Sequence, residues 1–306
     1  MKCSFKKISA ALKIMLVLSS AFAHAEQLRY FGQQANAYQS SRPYGFNPQA
    51  GHFIQTGDTR IYYEIYGKGS PVVVLHGGMV GSTLEMGQFI DQLAKNHQVI
   101  AVSTRGHGQS ESGTKPPTYL QKADDLNRVL AKINAQPVDI IGFSDGAYTG
   151  YFFARQYPAK VKKLVAIGAG EWKKGARNFN LTLEDLKKLD AAYWQQQIRL
   201  RRSSEAAINR DLAAMNAYYN SVNLDTRFFS KIAVPTLLVV GELDQNAPLD
   251  SVISAYKAMP NAQLAVIPNA AHPVFTENFP AVWAVVQPFL NGKSTVKSTR
   301  QPSKNH

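Results

Sequence analysis

Six short, wholly apolar runs recur along the chain, at Val72–Leu75, Val99–Val102, Val138–Ile141, Leu164–Ile167, Thr236–Val240 and Leu264–Ile267. A strand that is apolar on both sides of its pleat has to be covered on both faces. The stretches between the runs can supply that cover. Tyr119–Ile133, Tyr148–Tyr157, Leu249–Met259 and Pro280–Leu290 carry apolar residues at helical spacing. The pattern predicts an α/β fold, a mostly parallel twisted sheet with helices on both faces. Upstream, His52 to Tyr66 alternates around Gly57-Asp58 and predicts a hairpin.

One interval breaks the alternation. From Glu171 to Ala233 no strand-like run occurs, only helical patterns at Leu183–Leu200 and Glu205–Tyr219. Such an insertion, placed before the last two strands, predicts a helical cap over the carboxyl edge of the sheet, where open α/β sheets bind ligands. The chain then divides into a leader (1–25), an N-terminal arm (26–50), the first part of the core (51–170), the cap (171–233), the second part of the core (234–292) and a basic tail (293–306).

The leader carries Lys2, Lys6, Lys7 and Lys13, then a short apolar stretch from Ile14 to Ala23, then Ala23-His24-Ala25. This is the layout of a secretory signal peptide, too short in its apolar part to span a bilayer. Export to the periplasm or beyond follows as an expectation, with no stable membrane insertion after cleavage. Cleavage would also remove Cys3, the single cysteine, so the mature core would have no disulfide, no thiolate nucleophile and no cysteine metal site.

The formal charge of +13 is concentrated at the ends. Four lysines leave with the leader, and Lys293, Lys297, Arg300 and Lys304 sit in a Ser/Thr-rich tail whose composition predicts disorder. About +5 remains for the domain, an ordinary surface value. With no basic stripe interleaved with aromatics, a nucleic-acid partner is not expected. No metal or redox cofactor is indicated, because H-E-x-x-H, cysteine clusters and a G-x-G-x-x-G after a strand are all missing from the sequence.

Chemistry concentrates at Gly142-Phe143-Ser144-Asp145-Gly146, which follows an apolar strand and opens onto a helical stretch. A serine on so tight a strand-to-helix turn presents its hydroxyl outward, and flanking glycines remove side chains that would collide. Ser144 is the candidate nucleophile. His272 follows the last apolar run, on a loop at the same edge, and is the candidate general base. Asp244 ends the preceding strand and can orient that imidazole. The amide of Asp145, at the start of the helix after the turn, is one candidate oxyanion donor.

Competitors exist for each role. His76 and His107 also stand on strand-end loops. Glu242 could replace Asp244, although strand alternation points it to the other face. Asp250 is expected to cap the following helix. His52 and His97 are expected at the surface.

The chain resembles the α/β-hydrolase superfamily, in its cap-bearing group with esterases, proline iminopeptidases and carbon–carbon bond hydrolases. The resemblance rests on five pieces in order: His76-Gly77-Gly78, Arg105-Gly106-His107-Gly108-Gln109-Ser110, Gly142–Gly146, Gly241-Glu242-Leu243-Asp244 and Ala271-His272-Pro273. It implies an α/β-hydrolase fold and a Ser144–His272–Asp244 triad acting through an acyl-enzyme. It implies a second oxyanion donor at Gly78, with Met79 as the competitor, and loop-shaping roles for His76 and His107. Gly-x-Ser-Asp-Gly further resembles the valacyclovir hydrolase group, which implies that the Asp145 carboxylate binds a substrate ammonium; the alternatives are that it points to solvent or pairs with an arginine such as Arg105.

The cap aromatics Trp172, Phe179, Tyr193, Trp194, Tyr218, Tyr219, Phe228 and Phe229 either line an apolar pocket or pack as core. The expected activity is that of an exported serine hydrolase cleaving a carboxylic ester, with amide and aminoacyl ester open. The alternatives are a non-catalytic binding protein on the same fold and an acyltransferase to an acceptor other than water.

Overall fold

The computed structural model describes residues 27–292, apart from Ser41, Gln136 and Arg202. The leader and the basic tail therefore lie outside the described residues.

Among the described residues one eight-stranded sheet forms the centre. Its strands are β1 (Gly51–Gln55), β2 (Arg60–Tyr66), β3 (Ser70–Leu75), β4 (His97–Val102), β5 (Val138–Phe143), β6 (Val161–Ile167), β7 (Thr236–Gly241) and β8 (Ala262–Ile267). They lie in the order β1-β2-β4-β3-β5-β6-β7-β8. β1 and β2 form the expected hairpin, β2 runs antiparallel to β4, and every pair from β4 through β3 to β8 is parallel. The expected α/β-hydrolase architecture is therefore present.

The helices are α1 (Gly87–Leu93), α2 (Tyr119–Lys132), α3 (Asp145–Gln156), α4 (Leu183–Leu189), α5 (Ala191–Arg201), α6 (Glu205–Ser221), α7 (Thr226–Phe229), α8 (Leu249–Ala258), α9 (Val274–Glu277) and α10 (Phe279–Asn291). The pleat explains why the strand runs are continuous. In β3, Val73 and Leu75 join the core of α2, α3 and α8, while Val72 and Val74 join that of α1 and α10. All four are essentially unexposed. β8 departs from this pattern: as the last strand of the sheet it is only half covered, and Val266 is exposed.

The cap pattern read as a single helix over Leu183–Leu200 is two. Asp190 interrupts it, because its carboxylate accepts the N–H of Tyr193 (3.0 Å) and so starts α5, while the other oxygen accepts from Gly32 and Arg29. Local side-chain capping of this kind competes with helix continuation. The same contacts tie the arm to the cap. The arm is also tied to the core: Tyr38 and Tyr44 both donate to Asp91, and Glu64 accepts the N–H groups of Gly45 and Asn47. Among the described residues no helix is long and apolar enough to cross a membrane.

Candidate active site

The turn after β5 is strained at its centre. Ser144 has φ +50° and ψ −112°, a conformation that costs a non-glycine residue of order 1–3 kcal/mol and persists only where its surroundings enforce it. They do so here. The N–H of Ser144 donates to Ile167 O at 2.7 Å, and Ser144 O accepts the N–H groups of Ala147 and Tyr148 as α3 begins. The flanking glycines are sterically required. A Cβ on Gly142 would sit 2.4 Å from Gly146 O, and one on Gly146 would sit 2.5 Å from Leu75 O.

The turn brings Ser144, His272 and Asp244 together across 128 and 28 residues of chain. His272 Nε2 lies 2.9 Å from Ser144 Oγ, and His272 Nδ1 lies 2.8 Å from Asp244 Oδ2. A carboxylate only accepts, so Nδ1 carries the proton and Nε2 is left to accept from the serine hydroxyl. The other oxygen of Asp244 accepts the N–H groups of Asn246 (2.8 Å) and Ala247 (2.7 Å), which fixes the carboxylate as β7 ends. Phe143 packs against the imidazole at 4.9 Å between ring centres. Gly168 leaves room for it: a Cβ there would come 3.0 Å from His272 Cε1.

The competitors are placed elsewhere. His76 is buried with Nδ1 2.7 Å from Gly77 O and Nε2 accepting the N–H of Thr104. Burial lowers its pKa to about 4, and burial also holds His107 well below the ordinary histidine value. Both are thus neutral, weak bases that brace the loops after β3 and β4. Glu242 is exposed and accepts the N–H of Asn269. Asp250 makes no capping bond; it sits in the first turn of α8, whose N-cap is Pro248, so the expected cap is replaced by an acid near the positive helix end. His52 is exposed, and His97 is only partly so.

Asp145 corrects the reading made from its motif. Its carboxylate is 3 % exposed and both oxygens are taken up within the chain. Oδ2 accepts from Lys122 Nζ at 2.6 Å, and Oδ1 accepts from the hydroxyl of Tyr219 at 2.5 Å. An internal ammonium stands where a substrate ammonium was expected. The named arginine is not the partner either, because Arg105 is held in a fork by Asp125 (2.7 and 3.0 Å) and reaches Asp58 on its far side.

The amide of Asp145 is the first N–H of α3. Across from it, Gly78 packs tightly: a Cβ there would lie 2.2 Å from the Tyr219 hydroxyl oxygen and 2.9 Å from Asp145 Cβ. Met79 adopts φ +53°, so the loop from Gly77 to Met79 is conformationally forced. Glu85 helps to force it, accepting the N–H of Gly77 at 2.6 Å. Burial pushes the Glu85 carboxyl up to about 8, against backbone hydrogen bonds that pull it down.

Of the cap aromatics, Tyr219 is the one whose side chain bonds to Asp145, the residue after Ser144. Trp172 and Phe179 pack on Tyr219, while Phe228 and Phe229 pack on Phe152 and Tyr151 of α3. Tyr193 donates to Val80 O, holding α5 against the loop after β3. A cavity of about 840 Å³ opens between the arm, Glu85 and the loop after His272, and Ser144 is not part of its lining. Lys122, Glu85 and Gly168 carry no motif of their own, so sequence reading passes over them, and it offers Tyr219 only as one of the cap aromatics that line a pocket or pack as core.

Residues 70–199 match the family model of the alpha/beta hydrolase fold. The chain is 24 % identical over 272 residues to the AB hydrolase superfamily protein YisY of Bacillus subtilis, covering 79 % of this chain and 99 % of that protein. It is 25 % identical over 245 residues to a 2-hydroxy-6-oxo-6-(2'-aminophenyl)hexa-2,4-dienoic acid hydrolase of Metapseudomonas resinovorans, covering 72 % and 83 %. Among solved structures, a serine hydrolase involved in carbazole degradation superposes with a TM-score of 0.65 at 22 % identity, covering 78 % of this chain and 98 % of that one.

Proposed function

We propose, from the premise that the chain belongs to the α/β-hydrolase superfamily, that it is an exported serine hydrolase cleaving a carboxylic ester through an acyl-enzyme on Ser144. The observation that carries this reading is one line of hydrogen-bonding atoms: Ser144 Oγ, His272 Nε2 at 2.9 Å, then His272 Nδ1 and Asp244 Oδ2 at 2.8 Å. A serine hydroxyl is a poor nucleophile until a base removes its proton as the new bond forms. In the reading offered here His272 takes that proton, Ser144 Oγ bonds to the acyl carbon, and the carbonyl oxygen becomes an anion. The imidazolium then returns the proton to the departing alcohol oxygen. Water repeats the sequence, frees the acid and restores Ser144. Asp244 stabilises the imidazolium in both halves.

The amide of Asp145, with that of Gly78 or Met79, would receive the oxyanion. Losing one such donor typically costs about 3–4 kcal/mol of transition-state stabilisation. Because the Asp145 carboxylate is already paired with Lys122, this site favours a neutral acyl group over a cationic aminoacyl one.

A fluorophosphonate probe tests the reading, with p-nitrophenyl acetate hydrolysis as its companion. Wild-type protein is expected to be labelled and active, and Ser144→Ala neither. An unlabelled wild type at neutral pH, or an active Ser144→Ala, would overturn it. Export rests on the sequence of residues 1–25. Its test is the N-terminal sequence of protein recovered outside the cytoplasm, which should begin at Glu26.

A further inference from the structure

The chemistry proposed above uses the backbone of Asp145 and leaves its buried carboxylate without a task. A buried ion pair is a poor source of stability, since apolar residues of similar volume often do as well or better. Its place beside the nucleophile therefore asks for another explanation. Lys122 projects from the first turn of α2 with its side chain wholly unexposed. Its ammonium lies 2.6 Å from Asp145 Oδ2 and stands 5.5 Å from the ring centre of Tyr119 and 6.0 Å from that of Tyr219. The aromatic shell removes water, which strengthens each charged contact inside it.

Tyr219 reaches the same carboxylate from α6, in the cap. Its hydroxyl donates to Asp145 Oδ1 and also rests against the α-carbon of Gly78, where a methyl group would overlap it at 2.2 Å. One hydroxyl thus touches both loops whose amides would hold the oxyanion. The neighbouring Tyr218 grips α2 as well, its hydroxyl accepting the N–H of Tyr119 at 2.9 Å. Burial keeps the Tyr219 phenol well above its ordinary pKa, so it stays a donor.

We infer that Tyr219 and Lys122 are positioning residues: through the Asp145 carboxylate and the Gly78 backbone they set the spacing of the two oxyanion donors, so the donors are aligned only when the cap is seated. This rests on the serine hydrolase reading. A cap that lifts away would take the Tyr219 hydroxyl with it. Asp145 would then be held from the α2 side alone, and Gly78 would lose the group that packs on it. Small misplacements of this kind act on the transition state rather than on the ground state.

Tyr219→Phe is the decisive variant, since it removes one oxygen and keeps the ring in the aromatic shell. On p-nitrophenyl acetate its kcat is expected to fall about 10- to 100-fold while KM changes by less than about twofold. Affinity for an aryl trifluoromethyl ketone, which forms a tetrahedral oxyanion on the serine, should fall by the same factor as kcat. Its melting temperature should stay close to that of the wild type.

Because Lys122→Met alone leaves a buried carboxylate unpaired, the charge is tested with the pair Lys122→Met/Asp145→Asn. The double variant should turn over faster than Lys122→Met by itself. A Tyr219→Phe enzyme with wild-type kcat, or one whose loss lies wholly in KM, would overturn the inference. So would a double variant no faster than the single one. A wild type that neither labels nor turns over would instead overturn the hydrolase reading and this one with it.

Discussion

Asp244 and Asp145 stand on either side of Ser144, each almost fully buried, and each holds a different kind of partner. Asp244 holds an imidazole whose side chain keeps 15 % exposure and whose second nitrogen is offered to the serine. Asp145 holds an ammonium with no exposure, plus a phenol from the cap. A neutral imidazole has a lone pair that can take a neighbour's proton, whereas an ammonium has none and can only donate. The contrast separates two uses of the same chemistry. On the chemistry proposed above, the pair that would change charge during turnover keeps some exposure on its imidazole, and the pair proposed to fix geometry is sealed.

Removing the two partners should therefore fail in opposite ways. His272→Ala is expected to lower kcat by about 10⁴- to 10⁶-fold, because the members of such a unit act together. Its melting temperature should fall less than that of Lys122→Met, since Asp244 keeps the N–H groups of Asn246 and Ala247 as partners. Steady-state kinetics and calorimetry on the same preparation decide the point. A His272→Ala enzyme with near-normal kcat would remove His272 from the base role.

Lys122→Met should show the reverse weighting. It leaves the Asp145 carboxylate buried and uncompensated, a loss of about 3–5 kcal/mol. For a domain of this size that is on the order of 10 °C in melting temperature. If Lys122→Met melted with the wild type, the sealed pair would be contributing nothing and the contrast with Asp244 would collapse.

The same contrast marks what the sequence makes legible. Ser144, Asp244 and His272 each follow a short apolar run, so strand ends announce them, and Gly142 and Gly146 announce the turn. The sheet and its coverage were equally readable, because Val72–Leu75 is apolar at every position only if both faces are buried. Lys122 and Tyr219 gave no such signal. Lys122 lies in the first turn of α2 and Tyr219 in the last turn of α6, 23 and 74 residues from Asp145, and their meeting depends on how the cap lies on α2, which periodicity does not encode. Asp145 was therefore paired in expectation with Arg105 or a substrate cation. The break at Asp190 was hidden for a related reason, since the carboxylate that ends one helix and starts the next also answers to Arg29 and Gly32 in the arm.

Glu85 offers a third carboxyl against which to sharpen the comparison, and the smallest effect. It braces Gly77 without a cation beside it among its hydrogen-bond partners, and burial raises it from 4.5 to about 8. A carboxyl with a raised pKa binds its proton more tightly in the folded state than in the unfolded one. Its contribution to stability is complete below pH 4.5 and is lost as the pH rises toward 8. His76 acts in the opposite direction: lowered from 6.5 to about 4, it makes the fold more stable as the pH rises through that interval. The two slopes oppose each other between pH 4.5 and 6.5, and Glu85 acts alone of the pair from pH 6.5 to 8. Melting temperature should accordingly decline over that upper interval in the wild type and stay level in Glu85→Gln. Below pH 6.5 the variant should show the histidine slope uncovered, rising with pH. Parallel curves for the two proteins would mean that Glu85 is ionised in the folded state at neutral pH. The loop after β3 would then be braced by a charge, as Asp145 is, rather than by a neutral acid.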